Sequence, residues 1–212
     1  ICCPLDCDGE ESEICAWLQV VHDLDEQALH SALQRSVSIL GLEQFILQRM
    51  IPFVELLGSE WRNGTLQIFE EHFATINLID FLSGLWHSIN KYNRGEKVIL
   101  AGLPNESHTL GLHFTACFLV LQGYRVIFLG VNTPYKEVVH CYHRTKSEIL
   151  VFSISVTYDM GEALEYLLAL QENISLAHKI IIGGRGAPKT LPRMMNCSNL
   201  SDLILLLNQP MS

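Results

Sequence analysis

Residues 97–111 read KVILAGLPNESHTLG, and this stretch decides the fold. A run of aliphatic and β-branched residues after Lys97 has the composition of a buried strand, a short polar loop follows it, and an apolar segment expected to be helical over about 107–122 comes next. Strand, loop and helix in that order open a βα unit. Downstream the order repeats. A second strand is expected over 125–129 (RVIFL), closed by Gly130 and followed by a helix starting near Pro134, where proline suits the first helical turn. A third is expected over 148–153, a fourth over 179–182 and a fifth over 202–206. Residues 95–212 are therefore expected to form a flavodoxin-like (Rossmann-type), five-stranded parallel sheet with flanking helices, an α/β fold. In such sheets ligands sit at the carboxyl ends of the strands near the switch point, which directs attention to the loops after strands one, three and four.

Upstream the period changes. Between Asp25 and Asn90 apolar residues recur at helical spacing: Leu29, Leu33, Val37 and Leu40 form one stripe, and Phe45, Ile46, Met50, Phe53, Val54 and Leu57 another, with Gly41 and Pro52 as breaks. A long third stretch from Leu66 to Ile89 follows the turn Asn63-Gly64. An all-α unit, a four-helix bundle over 25–94, is expected to precede the sheet domain, with 1–24 as an acidic and flexible leader.

The 212 residues carry 49% hydrophobic and 17% charged residues, enough apolar material for a sizeable core. Residues 1–30 hold eight acids and no Lys or Arg, while the rest of the chain, with fifteen acids and fourteen bases, is nearly neutral. Neither part offers the basic stripe that neutralising phosphates requires, so direct nucleic-acid binding is not expected. Seven cysteines without a regular framework read as mostly inert thiols in a reducing compartment, and Cys2, Cys3, Cys7 and Cys15 fit no common zinc spacing. No apolar run is long enough to span a bilayer and the first segment is acidic, so no membrane association and a cytoplasmic location are expected. The first residue, Ile1, fits a piece of something longer.

The loop after strand one reads Glu106-Ser107-His108-Thr109-Leu110-Gly111. An imidazole that binds a metal keeps one nitrogen free and gives the other to an acceptor, which Glu106 supplies two residues earlier. Gly111 leaves the first helical turn open to close approach. The loop after strand three reads Ser153-Ile154-Ser155-Val156-Thr157 and that after strand four Gly183-Gly184-Arg185-Gly186-Ala187, a pairing expected to leave a slot lined by hydroxyl and backbone donors. As a dinucleotide fingerprint the glycines fail, because no third glycine completes the pattern and they follow the fourth strand. His140 and His143 flank Cys141 on a helix but lack an acidic third ligand. His113 is expected to pack, and His22, His30, His87 and His178 carry no supporting pattern.

Taken jointly, E-x-H-x-x-G, then Ser-x-Thr after forty-three intervening residues, then Gly-Gly after twenty-five more resemble the cobalamin-binding modules built on D-x-H-x-x-G, S-x-L or S-x-T, and G-G. The resemblance implies that His108 is the lower axial ligand of cobalt in place of dimethylbenzimidazole, that Glu106 orients it, and that the nucleotide tail threads Ser155, Thr157, Gly183 and Gly184. Glutamate stands here where most of that family has aspartate. In the helical half, Trp61 is followed after nine residues by Glu71-His72, and this W-x9-E-H element ahead of E-x-H-x-x-G resembles the cap of the CarH-type adenosylcobalamin light sensors of the MerR family. That resemblance runs from about Asp25 to Leu207 and includes Gly130-Val131-Asn132-Thr133-Pro134. It implies a non-enzymatic sensor in which Trp61, Glu71 and His72 cover the upper face of the corrin, photolysis of the cobalt-carbon bond changes conformation, and self-association follows the light state. The residue after the tryptophan is Arg62, where those sensors place a histidine that ligates cobalt after photolysis. A guanidinium has no lone pair to offer. A few relatives hold a bilin beside the cobalamin, which leaves open a second chromophore. Competing expectations are a corrinoid methyl carrier serving methyltransferases, which shares the helical cap and the same loops, and an anti-repressor acting through a partner protein or a fused DNA-binding domain.

Overall fold

The computed structural model describes residues 10–174 and 179–209. Cys2, Cys3, Cys7 and His178 lie outside them. The chain divides into two compact units, 1–83 and 84–212.

The first unit holds α1 (Glu10–His22), α2 (Glu26–Leu40), α3 (Leu42–Phe45) running through a π-helical turn (Ile46–Met50) into α4 (Ile51–Arg62), and most of α5 (Ile68–Asn90). Residues 10–22 belong to the expected flexible leader, yet they are helical. Ile14, Trp17 and Val21 recur at i, i+3 and i+7 and are buried, with the Trp17 ring 5.3 Å from Phe53 and 6.2 Å from Phe45. Glu10, Glu11 and Glu13 in the same segment mask that stripe in the sequence. Asp25 caps α2 by accepting from Ala28 N, and Gly41, at φ 74°, ends it. Pro52, expected to break the helix, does not: the wider π turn directly ahead of it accommodates a ring that an α turn would crowd. Glu70 reaches back to Gln67 N at 2.6 Å and takes His22 Nδ1 at 2.9 Å, tying the start of α5 to the end of α1.

In the second unit the last turns of α5 are followed by β1 (Lys97–Gly102), α6 (Leu110–Leu121), β2 (Arg125–Gly130), α7 (Tyr135–Thr145), β3 (Ile149–Ser153), α8 (Met160–Glu172), β4 (Lys179–Gly183), β5 (Met195–Cys197) and α9 (Leu200–Asn208). The boundary expected at 94/95 thus falls inside this unit, since Trp86 donates its indole N–H to His113 at 3.2 Å and stacks on Phe128. All five strands are parallel in the order β2-β1-β3-β4-β5, the flavodoxin-like arrangement. Ile99, Ala101, Leu150, Phe152, Ile180 and Ile182 face α7 and α8 in one continuous core. The opposite face takes α9 and α6, whose residues from Leu112 to Val120 are all buried.

The fifth strand is a correction. Residues 202–206 lie in α9, where Leu203 and Leu207 are buried four apart while Leu205 is 65% exposed, a helical rather than an alternating pattern. Asn199 caps it by accepting from Asp202 N at 3.0 Å. The true fifth strand is three residues long and is defined by pairing, Ile181 with Met195 through Gly183 with Cys197. Burial pushes the thiols of Cys117 and Cys197 up to about 12 and about 11. Cys15 is disulfide-bonded, contrary to the expectation for the N-terminal cysteines. Among the described residues no helix is long and apolar enough to cross a membrane.

Candidate functional site

β1 and β3 lie side by side at the switch point, with Gly102 in register with Ser153. The loops leaving them carry Glu106-Ser107-His108 and Ser155-Val156-Thr157, and Glu106 joins the two. Its side chain is only 2% exposed and receives five hydrogen bonds: on Oε1 from Ser107 N (3.0 Å), His108 N (2.9 Å), His108 Nδ1 (2.8 Å) and Ser155 Oγ (3.1 Å), and on Oε2 from Ser155 N (2.9 Å). Burial by itself pushes this carboxyl up, but the donors from His108 and Ser155 outweigh it and hold the group below the ordinary carboxylate range. An ionised carboxylate only accepts, so Nδ1 of His108 carries the proton. Nε2 is then the nitrogen left to offer a lone pair, on a side chain that is 59% exposed. Thr157 Oγ1 lies 3.0 Å from Ser155 Oγ and extends the chain of polar groups along the loop.

The glycines allow neighbouring segments to approach closely. A Cβ on Gly111 would stand 2.6 Å from Ser153 Oγ, so the space beside the first turn of α6 is filled by the end of β3. A Cβ on Gly184, at φ +96°, would meet Ile154 O at 2.3 Å, and one on Gly186 would meet Ser155 O at 1.9 Å. The β3 and β4 loops touch backbone to backbone: Ile154 N donates to Gly183 O at 2.9 Å and Gly186 N to Ile154 O at 3.1 Å. At Gly184 and Gly186 the two loops are thus in direct contact. Gly186 has the tightest requirement, and its only trace in the sequence is its place in the Gly-Gly-Arg-Gly run.

Two further residues serve the loop. Tyr158 donates its hydroxyl to Pro104 O at 2.6 Å, and burial, then the charges of Glu162, Glu106 and Asp159, push its phenol up so that it stays a donor. Asn132 accepts from Asn105 N at 3.0 Å, and both asparagines have positive φ. Asparagine's tolerance for that conformation is the sequence signal that points to them.

In the helical unit Trp61 stands at the end of α4 and is 50% exposed. Glu71 and His72 lie in the first turns of α5, with His72 Nε2 3.7 Å from Glu71 Oε2, and Glu71 also accepts from Thr75 Oγ1 at 2.7 Å. Ile68, Phe69 and Ile76 of the same helix are exposed. Arg62 makes no ion pair with Glu71 among the described residues. Among the described residues the other histidines have structural partners: His113 and His87 with Trp86, His30 with Phe81, His22 with Glu70, His143 with Tyr142, and His140 3.7 Å from Glu137. Among the described residues no group of three or more His, Cys, Asp or Glu could enclose a bare metal ion.

No protein-family model matches the chain. It is 23% identical over 175 residues to a corrinoid protein of Desulfitobacterium hafniense strain Y51, covering 78% of this chain and 80% of that one. It is 24% identical over 140 residues to the HTH-type transcriptional repressor CarH of Myxococcus xanthus, covering 65% of this chain and 46% of the repressor, so it spans less than half of that relative. The monomethylamine corrinoid protein of Methanosarcina barkeri shares the fold, with a TM-score of 0.74 at 14% identity over 95% of this chain and the whole of that one. The chain is homologous to corrinoid proteins.

Proposed function

We propose that this chain binds a cobalamin at the carboxyl end of its sheet, with His108 as the lower axial ligand of cobalt. The observation that carries this is the Ser155–Glu106–His108 relay. A buried, ionised carboxylate fixes the ring and its tautomer and turns Nε2 into the one available lone pair. A single imidazole suits a metal that arrives with its other ligands in place, as cobalt does in a corrin, and the similarity to corrinoid proteins agrees. Ser155, Thr157, Gly183 and Gly184 would hold the displaced nucleotide tail.

In its finer form the proposal is a sensory module for adenosylcobalamin whose self-association responds to light. What supports it is the W-x9-E-H element and the similarity to a CarH repressor. Trp61, Glu71 and His72 would shape the space on the upper face, and the exposed Ile68, Phe69 and Ile76 supply apolar surface on the same helix as that pair. When bound, adenosylcobalamin supplies a cobalt-carbon bond that light can break. Arg62 cannot then replace the lost ligand, so His72 is the imidazole nearest in sequence for that role. A ligand biases such a switch only by binding one arrangement better, so the adenosyl group must distinguish the two states. A regulator of transcription would further need a DNA-binding segment or a partner protein. The second reading is a methyl carrier, favoured by the coverage of the Desulfitobacterium corrinoid protein. The test is to load the protein with adenosylcobalamin in darkness, record its spectrum and elution volume, and repeat after green light. A light-dependent change in both is expected; unchanged values, together with equal binding of methylcobalamin, would move the carrier ahead.

A further inference from the structure

Glu106 sets the orientation of the His108 ring, but it does not by itself set where the loop stands. Four of its five hydrogen bonds come from its own loop or from Ser155 Oγ, and only Ser155 N adds a backbone anchor outside that loop. The backbone between β1 and Glu106 is held by other residues. Leu103 O accepts from Asn132 N at 3.0 Å, Asn105 N donates to Asn132 Oδ1 at 3.0 Å, and Pro104 O accepts from Tyr158 Oη at 2.6 Å. Tyr158 packs its ring on the main core of the sheet unit, so its hydroxyl is a fixed point rather than a mobile one. Asn132 is fixed as well, since the next residue, Thr133, donates its N–H to Gly102 O at 3.3 Å and accepts from the buried Tyr166 hydroxyl at 3.0 Å. The loop bearing His108 is therefore clasped from the β2 side and from the β3 side at successive residues.

We propose that Tyr158 and Asn132 are positioning residues for the metal ligand, a two-sided clasp that sets the position of the loop while Glu106 sets the tautomer and rotation of the ring. The inference rests on the cobalamin reading above. An axial bond tolerates displacements of only tenths of an ångström, so a loop held at one edge would carry a correctly oriented imidazole at the wrong distance. Tyr158→Phe removes the hydroxyl and keeps the packed ring. Asn132→Gly removes the acceptor of Asn105 N and keeps a residue suited to its φ of 57°.

Each variant is made with nitrogen-15 histidine and titrated with hydroxocobalamin, and the cobalt of the bound corrinoid is then reduced to the divalent state for electron paramagnetic resonance, where an axial histidine nitrogen splits the cobalt lines into doublets that the unlabelled base of the cobalamin cannot give; this doublet is the nitrogen splitting read in every variant. In either variant the affinity is expected to fall roughly fivefold, the value of one ordinary hydrogen bond. Part of the bound population is expected to lose the nitrogen splitting, while the circular dichroism stays native. Native affinity with full nitrogen splitting in both variants overturns the clasp. So does a shift in the unfolding midpoint with no change in the splitting, which marks a purely structural role. The cobalamin reading is tested separately by the unmodified protein and His108→Ala: if the unmodified protein fails to bind, or His108→Ala keeps the splitting, that reading falls first and the clasp with it. Should Tyr158→Phe not fold, Asn132→Gly alone decides the outcome.

Discussion

Glu106 and Glu71 each stand beside a histidine, and they are held very differently. The first is almost wholly buried and takes five hydrogen bonds, two of them from Ser155 on a neighbouring loop. The second is a third exposed, with one hydrogen bond from Thr75 four residues along its own helix and His72 at 3.7 Å. The imidazole in the first case is aimed before any ligand arrives, which removes an ordering cost from binding. Around Glu71 and Trp61 the side chains are more exposed and make fewer hydrogen bonds.

Breaking the rigid side is expected to have the largest effect. His108→Ala should lower cobalamin affinity by roughly a hundredfold or more, above the range seen when only a residue behind a metal ligand is lost. Its effect on unfolding should be about 1–3 kcal/mol, because the ring packs little but donates to a buried carboxylate. Glu106→Gln should cost roughly ten- to a hundredfold in affinity, read by spectral titration, since one side of the amide is a donor facing donors. Near-native affinity would mean that the carboxylate is not what prepares the imidazole.

Gly186→Ala tests the joined loops rather than the ring. Its methyl group would collide with Ser155 O, so chemical denaturation should show a loss of about 1–3 kcal/mol. No loss would show that the β3 and β4 loops part easily. On the more exposed side, Trp61→Ala should change stability by only about 0.5 kcal/mol and leave hydroxocobalamin affinity nearly intact. Its effect should appear as weaker preference for adenosylcobalamin over hydroxocobalamin, and a destabilised protein would instead identify Trp61 as a core residue. The smallest effect is expected at Glu70. The hydrogen bond from His22, followed by that from Gln67 N, holds its carboxyl below the ordinary value of 4.5. Its contribution to stability is therefore complete above that value and lost as pH falls through the lower folded one, and Glu70→Gln should remove that part of the acid dependence.

The periodic parts of the chain were legible from the residues. Four of the five strands and the helices α2, α4, α5, α6 and α7 lie where spacing and composition place them, because burial on one or both faces leaves a local imprint. The short β5 was not legible, since three residues carry no usable period and only the edge of β4 defines them. The leucine-rich segment of α9 misled for the complementary reason: a short apolar run satisfies strand and helix alike until its buried face is known. α1 was hidden by its acids, although Ile14, Trp17 and Val21 carry the helical spacing.

For the site, the local part was again accessible. Glu106 and His108 are two residues apart, so their pairing needs only a turn, and the sequence alone was enough to place a carboxylate-backed imidazole at the end of a strand. Folding settled what depends on distant segments meeting. Ser155 reaches Glu106 across 49 residues and Tyr158 reaches Pro104 across 54, and the glycines after β4 admit a neighbouring backbone. Spacing along a chain reports which side chains share a turn. Which loops share a hydrogen bond is set by the order of strands in the sheet, and no local pattern encodes it.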